Sequence, residues 1–481
     1  MVAGDVCSTI YGLEDRRLDR SMNSINDNLT AGKDKEQRGE QLRTPEDLKK
    51  TLYRYRWIIL IVLTAAYFFV VFQRISGGIV SRDIVDDLGG SIGLISSIYF
   101  LIYAAMQIPS GLLADHVGPR KVTFAFMSVA AVGSFITCFG TEFWEVVLGI
   151  LLITVGMGVI YIQLIKIISV WFKKTDFPQL TGIVVAVGNV GAIAATAPLE
   201  MMKDAVGWRG VFLILGAVTL ILALLCIVFV RDHPHKKGLP AIEEIENQEN
   251  GTPITDATDS KMPVIRSLII VASGGRKFWT LAIAYFLIYG SIMVFQGTWA
   301  NTYFKDVYGF TASAAWLVTM LGVGKILSTV LAGVLTGRGV IRSKRTAMIW
   351  GTLVFVAVWG VIWVFAGSLD NYWFWMTICF IFGFSAGFMT LSYTQVKEWY
   401  PTAISGTSVS AMGVFVFLGA AVCAAIADQV IGTSYTLENF SVVWVLMFVM
   451  AIAALFMVIL SKEKKEDDPL IGAEYVSEQH L

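Results

Sequence analysis

The chain has 481 residues, 56% of them hydrophobic and 15% charged, with mean hydropathy +0.66 and a formal net charge of zero. A soluble protein carries about 25% charged residues, so this composition excludes a soluble globular domain, and the balanced charge leaves no basic footprint for nucleic acid. Polar blocks fall at 1–56, 231–277 and 461–481. The apolar runs between them are long enough to cross a bilayer, which takes roughly 20 helical residues.

The first fifty residues hold no apolar core, so no cleavable signal peptide is expected. Together with 238–262 they read as disordered polar segments. Cys138, Cys226, Cys379 and Cys423 sit in apolar runs, at spacings that fit neither a disulfide frame nor a metal site. No cofactor is expected, and no nucleophile or metal constellation points to an enzyme.

Six spans precede the central polar block, at about 57–78, 91–114, 121–140, 143–169, 179–202 and 209–230. Six follow it, at about 278–300, 312–336, 345–366, 371–396, 404–428 and 440–460. Lipid offers no partner to a backbone amide, so each span is a helix. The expected organisation is a tail at 1–51, a six-helix bundle at 52–232, a linker at 233–275, a second bundle at 276–462 and a tail at 463–481.

Basic residues orient the spans. Arg54, Arg56, Arg120, Lys121, Lys173, Lys174, Lys236 and Lys237 fall on one side, with Arg338, Arg342, Lys344, Arg345, Lys462, Lys464 and Lys465. The opposite loops carry Arg82, Lys203, Arg209 and Lys305, mostly offset by Asp83, Asp86, Asp87, Asp204 and Asp306. The richer side is expected to be cytoplasmic, with both termini there.

The halves repeat each other. "GLLADHVGPRK" at 111–121 returns in degraded form as "GVLTGRGVIRSKR" at 333–345, so that an offset of 222 sets Gly111 on Gly333 and Arg120 on Arg342. An offset of 228 sets Trp171 on Trp399, Gly191 on Gly419 and Glu200 on Asp428. Duplicated six-helix halves describe a transporter whose site lies near the membrane midplane, between them.

Twelve spans, a long central loop and "GLLADHVGPRK" resemble the major facilitator superfamily. The resemblance covers about residues 52 to 462. It implies an all-α membrane protein of twelve transmembrane helices in two pseudo-symmetric bundles that rock about a central cavity. Gly111, Asp115, Gly118, Arg120 and Lys121 fit the family's loop signature, and the resemblance makes them a conformational latch. Pro119 and Gly337, where the second copy lacks the acid, depart from it. Glycines at 111 and 118 permit tight turns and close helix approach.

An ionisable residue within a span costs roughly 2.5–3.5 kcal/mol on insertion scales and usually faces the interior. Arg74, Lys166 and Lys325 qualify. "FQRISGGIVSRDIVDDLGGS" resembles the facilitators that move organic anions, whose first-span arginine grips the substrate; the resemblance carries that role to Arg74. Lys166, with Gln163 one turn earlier, and Lys325, with glycines at 322 and 324 leaving room beside it, are helpers. The plain alternative for Arg74 and Lys166 is a long side chain snorkelling to the membrane boundary. The organophosphate exchangers place a second arginine in span seven, whereas the 222 offset carries Arg74 to Gln296, a hydrogen-bonding group. Tyr103 and Tyr393 are the aromatic candidates for substrate contact. Asn189 reads as a helix contact in span five.

No Asp or Glu falls mid-span. Proton symport therefore lacks an evident carrier, and exchange or uniport is favoured. Glu200 and Asp428, at the outer ends of spans five and eleven, are possible gate residues. The expected cargo is a small organic anion, a carboxylate, carried by a monomer in the lipid bilayer; the alternatives are export of neutral amphiphiles or drugs and a non-transporting sensor. The membrane is expected to be a plasma or inner membrane, or an endolysosomal one if "EDDPLI" at 466–471 serves as a sorting signal in a eukaryote.

Overall fold

Apolar runs become helices throughout the computed structural model, which describes residues 45–173, 176–240, 242, 264–311, 313–337, 340–341, 343–464 and 468–471, the side chains of 45–47, 115–116, 178, 264–265, 402–403 and 405 excepted. Among the described residues eleven helices are long and apolar enough to cross a bilayer. The shorter helix Phe177–Ala194 takes the place of span five. Of the polar segments expected at 1–50 and 238–262, residues 1–44, 241 and 243–262 lie outside the described residues, Cys7 among them. The end of the bundle that carries the turn at Val117–Gly118 is termed inner, the other outer.

Span one, expected at 57–78, runs as one helix over Pro45–Leu88. Its 44 residues extend roughly 66 Å at 1.5 Å per residue, so it projects beyond the apolar layer at both ends. Spans two and three are Ile92–His116 and Pro119–Phe139. The Ser91 side chain caps the first of these by accepting from the Leu94 amide, at 2.9 Å. Spans eight, nine, eleven and twelve are Ala314–Gly337, Lys344–Val364, Thr402–Ile431 and Leu437–Leu460.

Four predicted spans are interrupted. Span five, expected unbroken over 179–202, breaks at Thr196 (φ −112°, ψ −112°), two residues before Pro198, which has no N–H to continue the preceding helix and fits the first turn of a new one. The chain resumes helix at Ala197 and runs to Phe229, turning at Gly207 (φ 71°), a left-handed angle that glycine adopts freely. Span four divides into Phe143–Met157 and Ile160–Trp171. Its counterpart, span ten, divides into Tyr372–Gly387 and Leu391–Glu398 around a 3-10 turn. Span seven carries a π segment, Phe295–Trp299, between Arg276–Val294 and Ala300–Tyr308. Such segments often mark functional sites.

The linker was expected to be polar, yet Val264–Ala272 is a helix whose Ile270 and Val271 are buried. Its Val271 carbonyl accepts the Tyr400 hydroxyl at 2.9 Å.

The internal repeat is visible in the packing. A Cβ on Gly191 would meet the Phe68 carbonyl oxygen at 2.4 Å, and one on Gly419 would meet the Phe286 carbonyl oxygen at 2.2 Å. Spans five and eleven thus press glycine onto the backbone of spans one and seven in the same way. This pairs Phe68 with Phe286, within "AYFF" at 66–69 and "AYFL" at 284–287. Arg74 therefore corresponds to Ile292, one turn before Gln296, and the fixed 222 offset is corrected there. A dense aromatic core holds the outer part of the second half: Phe295 packs on Trp359, Phe382 and Trp444 at centroid distances of 5.7, 5.3 and 5.3 Å. Such ring pairs contribute about 0.5–1.5 kcal/mol each beyond area burial.

Candidate functional site

Spans one, five, seven and eight meet around a cavity of about 340 Å³, whose walls include Arg74, Asn189, Tyr289, Gln296 and Lys325. Two of the three predicted interior cations thus share one space. The Arg74 guanidinium lies 5.9 Å from the Phe417 ring centroid and the Lys325 ammonium 5.1 Å from that of Tyr289. The Phe417 and Tyr289 rings themselves pack edge to face at 5.7 Å. The aromatic faces offer each cation partial compensation.

The titratable groups acting on Arg74 are phenols, chiefly Tyr289, Tyr103, Tyr67 and Tyr99. The charged group acting on Lys325 is Arg74, another cation. Among the described residues neither forms an ion pair, while the carboxylates in the bundle pair elsewhere. An unpaired charge at low dielectric is costly, and here two such cations line one cavity.

The remaining predicted contacts divide. Tyr103 stands beside Arg74 and packs on Phe417 at 4.3 Å. Tyr393 joins the aromatic wall through Tyr285, at 5.3 Å, within reach of Arg74's field. Gln163 is fully buried and donates its amide to the Ser110 carbonyl at 3.0 Å, tying span four to span two. Lys166 lies toward the inner end, close to His233: burial, with Lys236 and Lys166 nearby, pushes that imidazole below its ordinary value against the pull of Asp232. Asn189, read from sequence as a helix contact, proves to be a wall of the cavity.

At the outer end the two halves are bolted together. Glu200 accepts from Lys203 at 3.1 Å, from Lys305 of the other half, and from the Asn301 amide at 3.4 Å. Arg82 pairs with Asp86 at 2.9 Å and with Asp306 across the interface. Asp428 crosses in the opposite sense and accepts from the Ser91 hydroxyl and, at 2.9 Å, from the Gly93 amide. Thr196 and Thr319 share a 2.8 Å hydrogen bond across the interface. Beneath these, Gly78 and Gly297 bring spans one and seven into backbone contact, a Cβ on Gly78 lying 2.9 Å from the Gly297 carbonyl oxygen.

A sequence model of the Major Facilitator Superfamily matches residues 57–424 and, in a second match, 281–475. The chain belongs to that superfamily. The protein named "Probable sulfoacetate transporter SauU" of Cupriavidus necator is 26% identical over 317 residues, covering 65% of this chain and 72% of that one. The "Probable hexose phosphate transport protein" of Chlamydia trachomatis is 24% identical over 406 residues, covering 79% and 86%. The crystal structure of a bacterial homolog to the human lysosomal transporter Spinster, inward-facing and unoccupied, superposes with a TM-score of 0.68 at 15% identity, covering 84% of this chain and 96% of that one. This facilitator is a multi-pass membrane transporter and not an enzyme.

Its signature loop acts, in this conformation, as a clamp within the first half. The Arg120 amide donates to Asp232 at 2.8 Å and its guanidinium donates twice to the Ile227 carbonyl, at 3.0 and 2.7 Å. Gly118 holds φ 94°, and a Cβ there would press on the Asp232 carboxylate at 3.0 Å. Burial pushes Asp232 up, but Lys236 at 2.7 Å and the Arg120 amide outweigh it and hold the carboxyl below its ordinary value. Lys121 is exposed. Gly111 has open space beside it, so the close helix approach expected of it is not made here. The Asp115 side chain lies outside the described residues.

The second half repeats the clamp with a shifted register. The Lys344 amide donates to Glu463 at 2.7 Å, and Arg345 donates to the Ile459 carbonyl. Arg345, not Arg342, is therefore the counterpart of Arg120, because the second loop is three residues longer; Arg342 itself lies outside the described residues. The tryptophans agree: Trp171 donates to the Arg231 carbonyl at 2.9 Å and Trp399 to that of Lys462 at 3.3 Å.

Proposed function

We propose that this facilitator carries a small organic anion, a carboxylate or a sulfonate, gripped by Arg74 with Lys325 as the second positive charge. The observation that carries this reading is the pair of cations in one cavity with no carboxylate partner among the described residues. Relatives named for sulfoacetate and hexose phosphate have anionic cargo in common, and a shared cationic cavity is the simplest structural requirement of such cargo. Gln296, Asn189 and the tyrosine hydroxyls supply neutral hydrogen bonds that orient it.

On this reading the inner end is cytoplasmic, the outer bolts close the far side, and the cavity opens inward. Glu200 and Asp428 are outer gate residues, made and broken as the halves rock. The empty cavity confines two like charges, so reorientation is easier when an anion is bound. This favours exchange or uniport over proton symport. Lys166 and Gln163 serve the inner end of span four rather than the grip itself.

The test is counterflow in proteoliposomes with monocarboxylates, dicarboxylates, sulfonates, sugar phosphates, amino acids and neutral amphiphiles. Anions should exchange, Arg74→Ala should abolish the exchange, and a collapsed proton gradient should leave it intact. Exchange of neutral amphiphiles that ignores Arg74→Ala would overturn the reading.

A further inference from the structure

Two seams join the halves, one between spans five and eight and one between spans two and eleven. Each pairs helices that run in opposite directions, so the residue numbers of facing positions keep a nearly constant sum. On the first seam Thr196 shares its hydrogen bond with Thr319, and a Cβ on Gly322 would lie 3.5 Å from Ile193. Both pairs add to 515. Asn189 and Ile326, which line the same cavity, add to 515 as well. On the second seam the Gly93 amide donates to Asp428 at 2.9 Å, the Tyr103 and Phe417 rings pack at 4.3 Å, and a Cβ on Gly413 would lie 3.5 Å from Gln107. These pairs add to 520 or 521.

The seams differ in how far inward they stay joined. Gly182 lies 14 residues inward of Thr196, as Gln107 does of Gly93, roughly 21 Å at 1.5 Å per residue. At that depth spans two and eleven still touch, through Gln107 and Gly413. They part only farther in, where a Cβ on Gly111 or Gly406 would meet nothing within 4 Å among the described residues. Spans five and eight are already apart at that depth, since a Cβ on Gly182 or on Gly333 would likewise meet nothing. Yet 182 and 333 again add to 515. The 11 residues from Ile193 to Gly182, and from Gly322 to Gly333, make about three turns, so both glycines return to the face that forms the seam. Farther inward Gln179 and Thr336 obey the same sum, a polar pair like Thr196 and Thr319 at the outer end. Facing glycines let helices approach to backbone contact, as Gly78 and Gly297 do at the outer end. Here that provision stands unused.

Resting on the reading that the outer end is closed and the inner end open, we propose that the cavity opens inward through the seam of spans five and eight, and that this seam shuts by bringing Gly182 onto Gly333 and Gln179 beside Thr336 in the register already set at the outer end. The seam of spans two and eleven stays joined as far as Gln107 and Gly413 in both states.

Cysteine pairs test this in liposomes, in a background lacking Cys7, the transmembrane cysteines being buried. Gly182→Cys with Gly333→Cys should form a disulfide about tenfold faster or more than Gly182→Cys with Thr329→Cys, one turn off register, because the bond needs Cα atoms within about 7 Å. Lys305→Glu, which sets a carboxylate against Glu200 and opens the outer end, should speed the first pair further. Gln107→Cys with Gly413→Cys should link alike in both backgrounds. Gly182→Leu has room in this conformation and gains helix propensity, so its melting temperature should be no lower than that of wild type. It should nonetheless prevent inner closure, so that spin labels at Val206 and Leu437, exposed at the outer ends, stay close even with Lys305→Glu. A 182–333 pair that never links, an off-register pair that links as fast, or a 107–413 pair that links only with Lys305→Glu overturns the inference, as does outer opening that ignores Gly182→Leu. If Lys305→Glu alone leaves the outer ends unmoved, the outer bolt falls, and the cross-linking rates without it still decide the seam. No arm uses cargo, so failure of the anion reading leaves these outcomes unchanged.

Discussion

Glu200 offers a direct handle on the conformational equilibrium. It is buried, accepts from Lys203 and Asn301, and pairs across the halves with Lys305. Lys203 retains Asp83 at 2.9 Å when Glu200 is neutralised, so Glu200→Gln chiefly removes one cross-half ion pair. A hydrogen bond to a charged group contributes about 1.5–3 kcal/mol, and the 21% exposure of Lys305 argues for the lower part of that range. About 2 kcal/mol, realised only while the outer end is closed, shifts the ratio of closed to open by roughly 30-fold. Neutralisation also relieves the carboxylate's desolvation cost, so Lys305→Glu, which sets two carboxylates face to face, should open the outer end further. The swap Glu200→Lys with Lys305→Glu should restore closure. Spin labels at Val206 and Leu437, exposed at the outer ends of the two halves, read the separation in a background lacking Cys7, the transmembrane cysteines being buried. Distance distributions that ignore all three variants, or a swap no better closed than its parents, would refute the bolt.

Three further outcomes follow from the same geometry. Gly78→Val places a side chain against the Gly297 carbonyl; overpacking costs about 1–3 kcal/mol, so outer closure should fail and counterflow should drop, whereas wild-type rates would show that spans one and seven separate freely. Lys325→Met should weaken anion competition about tenfold with exchange still measurable, and Arg74→Lys should lose more than that, since ammonium cannot replace the guanidinium fork; equal losses would mean that Arg74 serves as charge alone. Asp232 titrates below its ordinary value of 3.8, so its contribution is complete above that pH and is lost as pH falls through the depressed value. Asp232→Asn should therefore lower the melting temperature at pH 7, by the worth of charged hydrogen bonds of about 1.5–3 kcal/mol. The gap to wild type should begin to narrow below about pH 3.8 and close once pH falls past the depressed value; a gap that persists there would assign the effect to shape.

The helices were legible because hydrocarbon leaves the backbone one solution, and a run such as that of span twelve announces it by composition. Ser91, Asn371 and Thr436 cap helices as their side chains allow. Breaks inside spans were not legible from hydropathy, which sums composition and is blind to hydrogen-bond register. The π segment at Phe295–Trp299 contains no proline to flag it. Span five was read as unbroken straight through Pro198, and the break at Thr196 was missed. The linker helix Val264–Ala272 was missed because nine residues are too few to register as a span. The repeat was real but gapped: +228 holds where glycine meets backbone in spans five and eleven, +218 in the facing spans one and seven, and +225 at Arg120 and Arg345. A single fixed offset inevitably mismatched Arg74.

For the site, sequence could nominate cations by their insertion cost, and it set Lys166 in the inner part of span four and Lys325 deeper, near the middle of span eight, while keeping both as helpers. Depth separates them. Lys166 lies five residues before Trp171, whose indole is anchored to the Arg231 carbonyl at the inner end, and a four-carbon arm reaches His233 from there. Lys325 has backbone of span ten packed close on both sides, at Gly324 and beneath Gly383, and faces Arg74 instead. Glu200 and Asp428 were found by symmetry, but their partners come from the opposite half and could not be. The loop charges at the outer end had been counted as topology signals, cations mostly offset by acids, and in the structure they pair: Arg82 with Asp306 across the halves, and Lys203 with Asp83 and Arg209 with Asp87 within the first half. Where like numbers of opposite charges crowd the ends of helices that must part, pairing is the state that keeps them shut. Among the described residues Arg74 and Lys325 form no ion pair of this kind. That contrast, neutralised at the gate and uncompensated in the cavity, is the physical basis for reading the one as a lock and the other as a grip for an anion.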